Sequence, residues 1–182
     1  MSTVISFSFP DLRHRIHVDE IMDDLSITDQ RLHDALRDLR LTNQFLGGYA
    51  STRRVLEPLV KRHSRLRVLD VGTGGGDSLA DLVHFGHRHA CRLEAVGIDL
   101  NPGAVDYARD YLDGALSPRM RRRVCVTTGD ALDLAAGDDA FDVAVTSLFL
   151  HHFDEPDAER VLREMSRVAR TGIVVNDLHR HP

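Results

Sequence analysis

Short apolar runs alternate with amphipathic segments from residue 66 onward. A run of about four to eight apolar residues is typical of a strand buried on both faces, whereas apolar residues at every third or fourth position are typical of a helix. Because helical segments separate consecutive strands, the pattern predicts an α/β fold with a parallel sheet covered on both faces. The predicted strands are Leu66–Val71, Leu93–Leu100, Val124–Thr128, Phe141–Ser147 and Ile173–Val175.

Helical spacing also occurs in the first third of the chain, where two helices are predicted after about 20 irregular residues. Thr28 or Asp29 is expected to cap the first helix, and Asp154 or Glu155 the last one. Gly172 is expected to end that last helix. The apolar positions of the predicted helices are Leu32, Ala35, Leu36 and Leu39; Val55, Leu56, Leu59 and Val60; Leu79, Leu82 and Val83; Ala104, Val105, Ala108, Tyr111 and Leu112; and Val161, Leu162, Met165 and Val168.

Chemistry is expected in the loops that follow the strands, because ligands of open parallel sheets bind beyond the carboxyl ends of the strands. The first such loop belongs to the stretch VLDVGTGGGD at residues 68–77. Gly72, Gly74 and Gly76 let the backbone turn sharply and approach a ligand closely. The N-terminus of the next helix favours a carboxylate. Asp77 stands where a dinucleotide fingerprint has its last glycine, so the spacing is GxGxG instead.

Acidic residues follow the second and third predicted strands. Asp99 lies at the tip of the second strand, where its carboxylate can accept hydrogen bonds from both hydroxyls of a ribose. Asn101 is already a good N-cap for the next helix, so Asp99 is not needed for capping. Asp130 follows the third strand and can accept a bond from an adenine amino group, although Gly-Asp pairs are also common in turns. The order of these acids along the sheet gives them weight.

The fourth strand runs into a loop with paired histidines, in the stretch FDVAVTSLFLHHF at residues 141–153. From about residue 20 onward, this ordered set of motifs resembles the class I S-adenosylmethionine-dependent methyltransferases that act on small molecules. The resemblance implies a Rossmann-like, doubly wound parallel sheet of strand order 3-2-1-4-5, preceded by N-terminal helices. It implies a helical extension at residues 1–63 and an S-adenosylmethionine-binding domain at residues 64–182. The implied activity is O- or C-methylation of a small molecule, with aromatic and polyketide-like acceptors among the candidates.

The same resemblance implies which residues of the first loop hold the methionine portion of S-adenosylmethionine. Gly72, Thr73 and Gly74 are expected to contact it. Asp70 is expected to orient its amino group, often through water.

The nucleoside portion is implied to lie further along the sheet. Asp99 is expected to bind the ribose, with Leu100 against the adenine. Asp130 and Ala131 are expected to contact the adenine edge, and Ser147 to line the pocket of cofactor and substrate.

Methylation of a phenol or another oxygen also requires a group that takes the acceptor's proton, and histidine is suited to this near neutral pH. His151 and His152 adjoin the predicted site and are the candidate catalytic residues. The alternative is that both are pocket-wall residues at the start of a helix.

The composition of the chain bears on which classes of partner are expected. The 182 residues are 42% hydrophobic and 28% charged, with a formal net charge of −5, which is ordinary for a globular protein and gives no reason to expect nucleic acid. The run Arg119–Arg123 has no interleaved aromatic and is interpreted as a solvated loop. Cys91 and Cys125 match no metal-ligand spacing, so no metal is expected. No apolar run approaches the roughly 20 residues of a membrane helix, and no secretory signal is recognised, so a cytoplasmic location is predicted.

The segment Ile173–Val175 is expected to be an uncovered apolar edge, because the antiparallel pair that usually completes this fold is missing after it. A fragment of a longer protein is the first explanation, and a homodimer through this edge is the second. Two other functions remain open. One is a nicotinamide-dependent oxidoreductase, and the other is a non-catalytic S-adenosylmethionine-binding subunit of a larger enzyme.

Overall fold

The computed structural model describes residues 27, 29–45 and 47–177. The expected irregular start of the chain and the alternative cap Thr28 lie outside the described residues. A 3-10 turn at Leu150–His152 precedes the last helix. The helices and strands are, in chain order, α1 (Gln30–Phe45), α2 (Gly48–Arg62), β1 (Arg65–Val71), α3 (Asp77–Arg88), β2 (Arg92–Asp99), α4 (Pro102–Ala115), α5 (Pro118–Arg121), β3 (Val124–Thr128), β4 (Phe141–Ser147), α6 (Glu155–Val168) and β5 (Ala169–Asn176).

The five strands form one sheet of order β3-β2-β1-β4-β5, in which every pair is parallel. The fold class and the strand order predicted from the sequence are therefore confirmed. The strand β1 lies in the middle. The chain adds β2 and β3 on one side of it, then crosses over and adds β4 and β5 on the other side. The order reverses between β1 and β4, which places a crevice at their carboxyl ends.

Helices cover both faces of the sheet, as the continuous apolar runs of the strands require. Val68 of β1 belongs to the core formed with α2, α3 and α4. Its neighbour Leu69 belongs to the core formed with α6 on the opposite face, where Val161 and Met165 are fully buried. Alternate residues of one strand thus feed two cores. In the described residues, no helix has the length and apolarity that a membrane span needs.

Side-chain caps are present at the starts of α1 and α6, the two helices for which the sequence predicts alternative caps. Asp29 Oδ1 accepts a hydrogen bond of 3.0 Å from the Arg31 amide at the start of α1. Asp154 Oδ1 accepts one of 3.0 Å from the Asp157 amide at the start of α6. Of the two alternatives in the sequence, Asp154 and not Glu155 is therefore the cap of α6.

The interpretation of Arg119–Arg123 as a loop is wrong in part, because Pro118 begins the short helix α5, which ends at Arg121.

Two predictions about the helices are wrong. Gly172 does not end α6, because the helix ends at Val168 and Gly172 lies within β5. Its φ of 155° accompanies an irregularity in the pairing of β4 with β5, where the register gains one residue, so the glycine serves a bulge. Val55 is 57% exposed, while Leu56 and Val60 of the same helix are buried. The apolar face of α2 is therefore narrower than the sequence suggests.

The strand β5 is the edge of the sheet in the described residues, as predicted. Val175 is 43% exposed, whereas Val174 packs into the core. Helix α2 lies against one side of this strand, and Asn176 Nδ2 donates to the Gly48 carbonyl oxygen over 3.2 Å. A dimer through this edge stays a prediction.

Candidate functional site

The glycine turn after β1 is hydrogen-bonded to the end of β2. The Gly74 amide donates to Asp99 Oδ2 over 2.8 Å. The amides of Gly72 and Thr73 both donate to the Ile98 carbonyl oxygen, over 3.0 and 2.9 Å. The turn and the acid that the sequence singled out are therefore neighbours at one end of the sheet, near enough to contact a single nucleoside.

Close packing explains why the turn needs glycine. Gly72 has a φ of 71°, which favours glycine, and a β-carbon there would overlap the ring of Phe149 from the loop after β4. Gly74 has a φ of 51°, and Leu36 of α1 lies 3.5 Å from the position that its β-carbon would take. The turn thus lies between α1 and the β4 loop: at Gly72 the Phe149 ring leaves no room for a side chain, and at Gly74 the positive φ favours glycine.

Asp99 keeps hydrogen-bonding capacity beyond its two backbone bonds. Its Oδ1 accepts from the Asn101 amide over 3.0 Å, and its Oδ2 accepts from Gly74. An ionised carboxylate has about four lone-pair sites, so capacity remains for a hydroxyl donor. Burial raises the pKa of Asp99, against the lowering effect of its backbone bonds and of nearby His152. The backbone bonds fix the carboxylate at the tip of β2.

Asp70 lies underneath the glycine turn and is only 2% exposed. Its Oδ2 accepts from Thr73 Oγ1 over 2.8 Å and also from the Ser78 hydroxyl. Burial raises the pKa of Asp70 to about 6, even though both hydroxyl bonds lower it. The predicted site residue Thr73 is itself buried, so its side chain supports the turn from within. Any contact of Thr73 with a ligand stays a prediction.

The other predicted nucleoside contacts lie at the ends of the strands beside Asp99. Leu100 is 51% exposed, so its apolar surface is available to a flat apolar group. The exposed Asp130 bonds the Leu132 amide over 2.8 Å, and Ala131 is buried in the core on the α6 side. Ser147 is the last residue of β4 and is partly exposed.

A histidine–carboxylate pair adjoins this end of the sheet. His151 Nδ1 lies 2.7 Å from Asp177 Oδ1, and Asp177 Oδ2 accepts from the Phe149 amide over 3.2 Å. The rings of His151 and His152 lie against each other, with centroids 4.2 Å apart. Sequence reasoning found both histidines but missed Asp177. Its position directly after β5, at the carboxyl end of a strand, was the available signal.

A second missed role belongs to Asp77. The hydroxyl of Tyr49 in α2 hydrogen-bonds Asp77 Oδ2 at the start of α3. One turn further along α3, Asp81 pairs with Arg53 of α2 at 2.5 Å. Burial raises the pKa of Asp77, while the Tyr49 bond lowers it. The residue that departs from the dinucleotide fingerprint therefore joins α2 to the helix that follows the glycine turn.

In the residues that the structure describes, no group of three or more His, Cys, Asp and Glu side chains is arranged to hold a metal ion. The site instead combines a glycine turn, a carboxylate at the neighbouring strand tip and an exposed apolar residue beside it. On a parallel sheet of order 3-2-1-4-5, this combination is typical of a domain that binds a nucleoside-containing cofactor.

Comparison with known proteins identifies the class of this domain. Residues 68–172 match the family described as methyltransferase domain. Demethylmenaquinone methyltransferase of Roseiflexus sp. (strain RS-1) is 37% identical over 121 residues, which cover 64% of this chain and 45% of that protein. Magnesium-protoporphyrin O-methyltransferase of Rhodobacter capsulatus is 32% identical over 108 residues, which cover 59% of this chain and 43% of that protein. The chain thus spans less than half the length of these two relatives.

Among solved structures, a SAM-dependent methyltransferase from Methanosarcina mazei is similar with a TM-score of 0.50 and 26% identity, covering 59% of this chain and 49% of that one. The chain belongs to the methyltransferase domain family, because the family match covers more than half of it. Its cofactor is S-adenosylmethionine. The family match also decides against the nicotinamide-dependent oxidoreductase.

Proposed function

We propose that the protein transfers a methyl group from S-adenosylmethionine to an oxygen or carbon of a small molecule, with aromatic and polyketide-like acceptors as candidates. The two relatives above carry the names of a porphyrin and a quinone methyltransferase. The observation that carries the proposal is the His151–Asp177 pair, which lies at the same end of the sheet as the glycine turn and Asp99.

The methionine portion of the cofactor is assigned to the turn after β1. Gly72, Thr73 and Gly74 line it, since the two glycines carry no β-carbon and let the backbone approach a ligand closely. Asp70 orients the amino group. The buried carboxyl is held in one orientation by two hydroxyl groups, which suits it to a cationic ammonium group.

The nucleoside is assigned to the tips of β2 and β3. Asp99 uses its remaining lone pairs for the ribose hydroxyls, and Leu100 packs its exposed surface against the adenine. Asp130 and Ala131 meet the adenine edge, and Ser147 lines the pocket towards the acceptor. S-adenosylmethionine supplies a sulfonium-bound methyl group that needs no further activation.

His151 takes the proton of the acceptor in this proposal. An ionised Asp177 can only accept a hydrogen bond, so it fixes the His151 proton on Nδ1. The Nε2 atom of a neutral imidazole is then the proton acceptor. Asp177 therefore acts as a positioning residue, and His152 packs against the base and forms part of the pocket wall. General-base catalysis of this kind contributes roughly 10²- to 10⁴-fold to the rate.

The test is a methyl-transfer assay with a panel of phenols and quinols, in which S-adenosylhomocysteine formation is measured. His151→Ala is expected to lower kcat by about 10²-fold or more. Asp177→Asn is expected to lower kcat by about tenfold, with unchanged KM and unchanged S-adenosylhomocysteine affinity, because the amide permits the wrong tautomer. Added imidazole is expected to restore part of the activity of His151→Ala but not of Asp177→Asn.

His63→Ala is the matched control, since His63 is exposed at the end of α2 and far from the β4 loop in the fold. It is expected to retain full activity. Full activity of His151→Ala would show that His151 is not the general base. Tight S-adenosylhomocysteine binding without turnover of any acceptor would favour the non-catalytic subunit instead.

We also assign the protein to a reducing, cytoplasmic environment. Both cysteines are free thiols, and Cys125 is exposed on β3. An exposed thiol persists most readily where glutathione and thioredoxin keep cysteines reduced.

A further inference from the structure

A basic pocket of about 490 Å³ opens at the amino ends of β1, β2 and β3, away from the glycine turn. The residue before β1, the first residue of β2 and the segment before β3 all contribute to its wall. No Asp or Glu side chain in the described residues lines it. The polar side chains that line it are those of Ser64, His87, Arg92, Arg119, Arg122 and Arg123.

Three of the four arginines are not neutralised by the protein. Arg92 pairs with Glu94 at 2.8 Å. Arg119, Arg122 and Arg123 form no ion pair with any residue in the described ranges, although the chain has 28 acidic residues and a net charge of −5. Positive charge is therefore concentrated in one pocket of an acidic protein, where it favours an anionic ligand.

The segment Arg119–Arg123 contains one further arginine, Arg121, which does not line the pocket and instead fixes the segment to the protein. Arg121 points away from the pocket, donating to Asp113 Oδ1 at 2.5 Å and to the Val124 carbonyl oxygen at 2.9 Å. The Arg123 amide donates to the Met120 carbonyl oxygen over 2.9 Å. These bonds fix the backbone that carries the three unpaired guanidinium groups, so a ligand does not have to order it.

Two carbonyl groups beside the pocket residues Ala90 and Cys91 already accept hydrogen bonds from backbone amides. At the end of α3, the Gly86 oxygen accepts from the Cys91 amide over 2.9 Å, and the His87 oxygen accepts from the Ala90 amide over 3.2 Å. Ala90 adopts a φ of 57° to allow this. Burial and the nearby Asp142 carboxylate raise the pKa of the Cys91 thiol in the pocket wall. Asp142 itself pairs with Arg170 at 3.6 Å, so the guanidinium groups remain the main charged groups of the pocket.

We propose that this pocket binds a small ligand that carries two or more adjacent phosphate groups. Planar guanidinium groups match pairs of phosphate oxygens and bind them through two parallel hydrogen bonds. The pocket volume lies in the range of about 300 to 1,000 Å³ that is usual for small ligands. No Phe, Tyr or Trp of the described residues lines it, so the phosphates and not a base are recognised.

The site is separate from the cofactor site because the two lie at opposite ends of the same strands. The seven residues of β1 run from Arg65, beside the pocket, to Val71, beside the glycine turn. At about 3.3 Å per residue, this separates the two ends by roughly 20 Å. Binding of an anion at one end is therefore expected to leave the contacts at the other end unchanged.

Calorimetry with sodium tripolyphosphate tests the proposal directly. The unaltered protein is expected to bind it with a Kd below about 1 mM at low salt. The triple variant Arg119→Gln, Arg122→Gln and Arg123→Gln is expected to bind at least about tenfold more weakly, since it removes three charge-assisted contacts. S-adenosylhomocysteine binding by the same variant is expected to stay unchanged, which also shows that the variant is folded.

The matched control removes the same charge elsewhere, through Arg54→Gln, Arg160→Gln and Arg163→Gln on the exposed surfaces of α2 and α6. It is expected to bind tripolyphosphate within about twofold of the unaltered protein. Equal weakening in both triple variants would overturn the proposal, as would the absence of any binding. A single-stranded oligonucleotide that binds about tenfold more tightly than tripolyphosphate would also contradict it, because the ligand would then be a nucleic acid.

Discussion

The two ends of the sheet differ in charge and in how that charge is held. At the carboxyl ends, Asp70 and Asp99 are held by hydroxyl and backbone donors, and burial raises the pKa of both. At the amino ends, Arg119, Arg122 and Arg123 have no carboxylate partner among the described residues. One parallel sheet can therefore present acidic groups at its carboxyl ends and basic groups at its amino ends. The acidic end suits the cationic sulfonium and ammonium groups of the cofactor, and the basic end suits phosphate.

Filling the glycine turn at the carboxyl ends of the strands with a side chain is expected to have the greatest effect. Gly72→Val is expected to abolish S-adenosylhomocysteine binding, because its side chain would overlap Phe149 at a φ of 71°. The strain and overpacking are expected to lower the free energy of unfolding by roughly 2 to 5 kcal/mol. Urea denaturation and calorimetry measure the two effects.

The control is Gly137→Ala, because Gly137 is exposed and has no neighbour near its missing β-carbon. It is expected to bind S-adenosylhomocysteine normally. If Gly72→Val stays folded, its tripolyphosphate affinity should be unchanged. A parallel loss of both ligands from a folded variant would mean that the two ends are not independent.

A somewhat smaller effect is expected from the buried acid. The pKa of Asp70 is raised from 3.8 to about 6 in the folded protein, so ionisation of this carboxyl costs stability as the pH rises between these values. Below about pH 4 the penalty is absent, and above about pH 6 it is complete. Asp70→Asn cannot ionise, and we expect it to gain up to about 3 kcal/mol relative to the unaltered protein between these limits.

Urea unfolding at a series of pH values measures this difference. The exposed Asp110→Asn on α4 is the control, with an expected change below about 0.5 kcal/mol throughout. If the advantage of Asp70→Asn falls instead of rising with pH, the buried acid is stabilised in its ionised form and the assignment of its environment is wrong.

Next in size is the ribose contact. Asp99→Ala is expected to weaken S-adenosylhomocysteine binding by roughly 1 to 3 kcal/mol, the usual effect of losing hydrogen bonds to a charged group. Asp133→Ala, which removes an exposed acid in the loop between β3 and β4, should leave the affinity unchanged. Unchanged calorimetry for Asp99→Ala would show that another group binds the ribose.

Ionic strength is expected to have the least effect, and it should act differently on ligand binding at the two ends of the sheet. Raising the ionic strength from about 0.05 to 0.5 M should weaken tripolyphosphate binding by tenfold or more, because the basic pocket is exposed and its charges are screened. S-adenosylhomocysteine affinity should change less than about twofold, since the acids of its site are buried. Equal salt sensitivity of the two ligands would erase the distinction between the two ends.

The sequence predicted best where one local rule determined the result. Continuous apolar runs identified all five strands, and the glycine spacing located the turn beside Asp99. Gly172 misled because glycine follows many helices, whereas here the register of β4 against β5 needs an extra residue at that point. Val55 misled because the apolar face of α2 depends on how the helix is rotated against its neighbours, which local spacing does not fix.

The missed site residues depend on contacts between distant segments. Asp177 meets His151 across 26 positions of the chain, and Tyr49 meets Asp77 across 28. Neither pair forms a local motif, so only the packed fold brings them together. The basic pocket was missed for the same reason: Arg92 and Ser64 join the run at Arg119–Arg123 only when three strands begin side by side.

We propose that the turn at Gly74 and the carboxylate of Asp99 bind the same nucleoside. A crystal structure of the complex with S-adenosylhomocysteine would show whether they do. We expect both ribose hydroxyls within hydrogen-bond distance of Asp99, with the methionine portion over Gly72 and Gly74. A ligand bound elsewhere, with neither the turn nor Asp99 in contact with it, would show that this site is assigned wrongly.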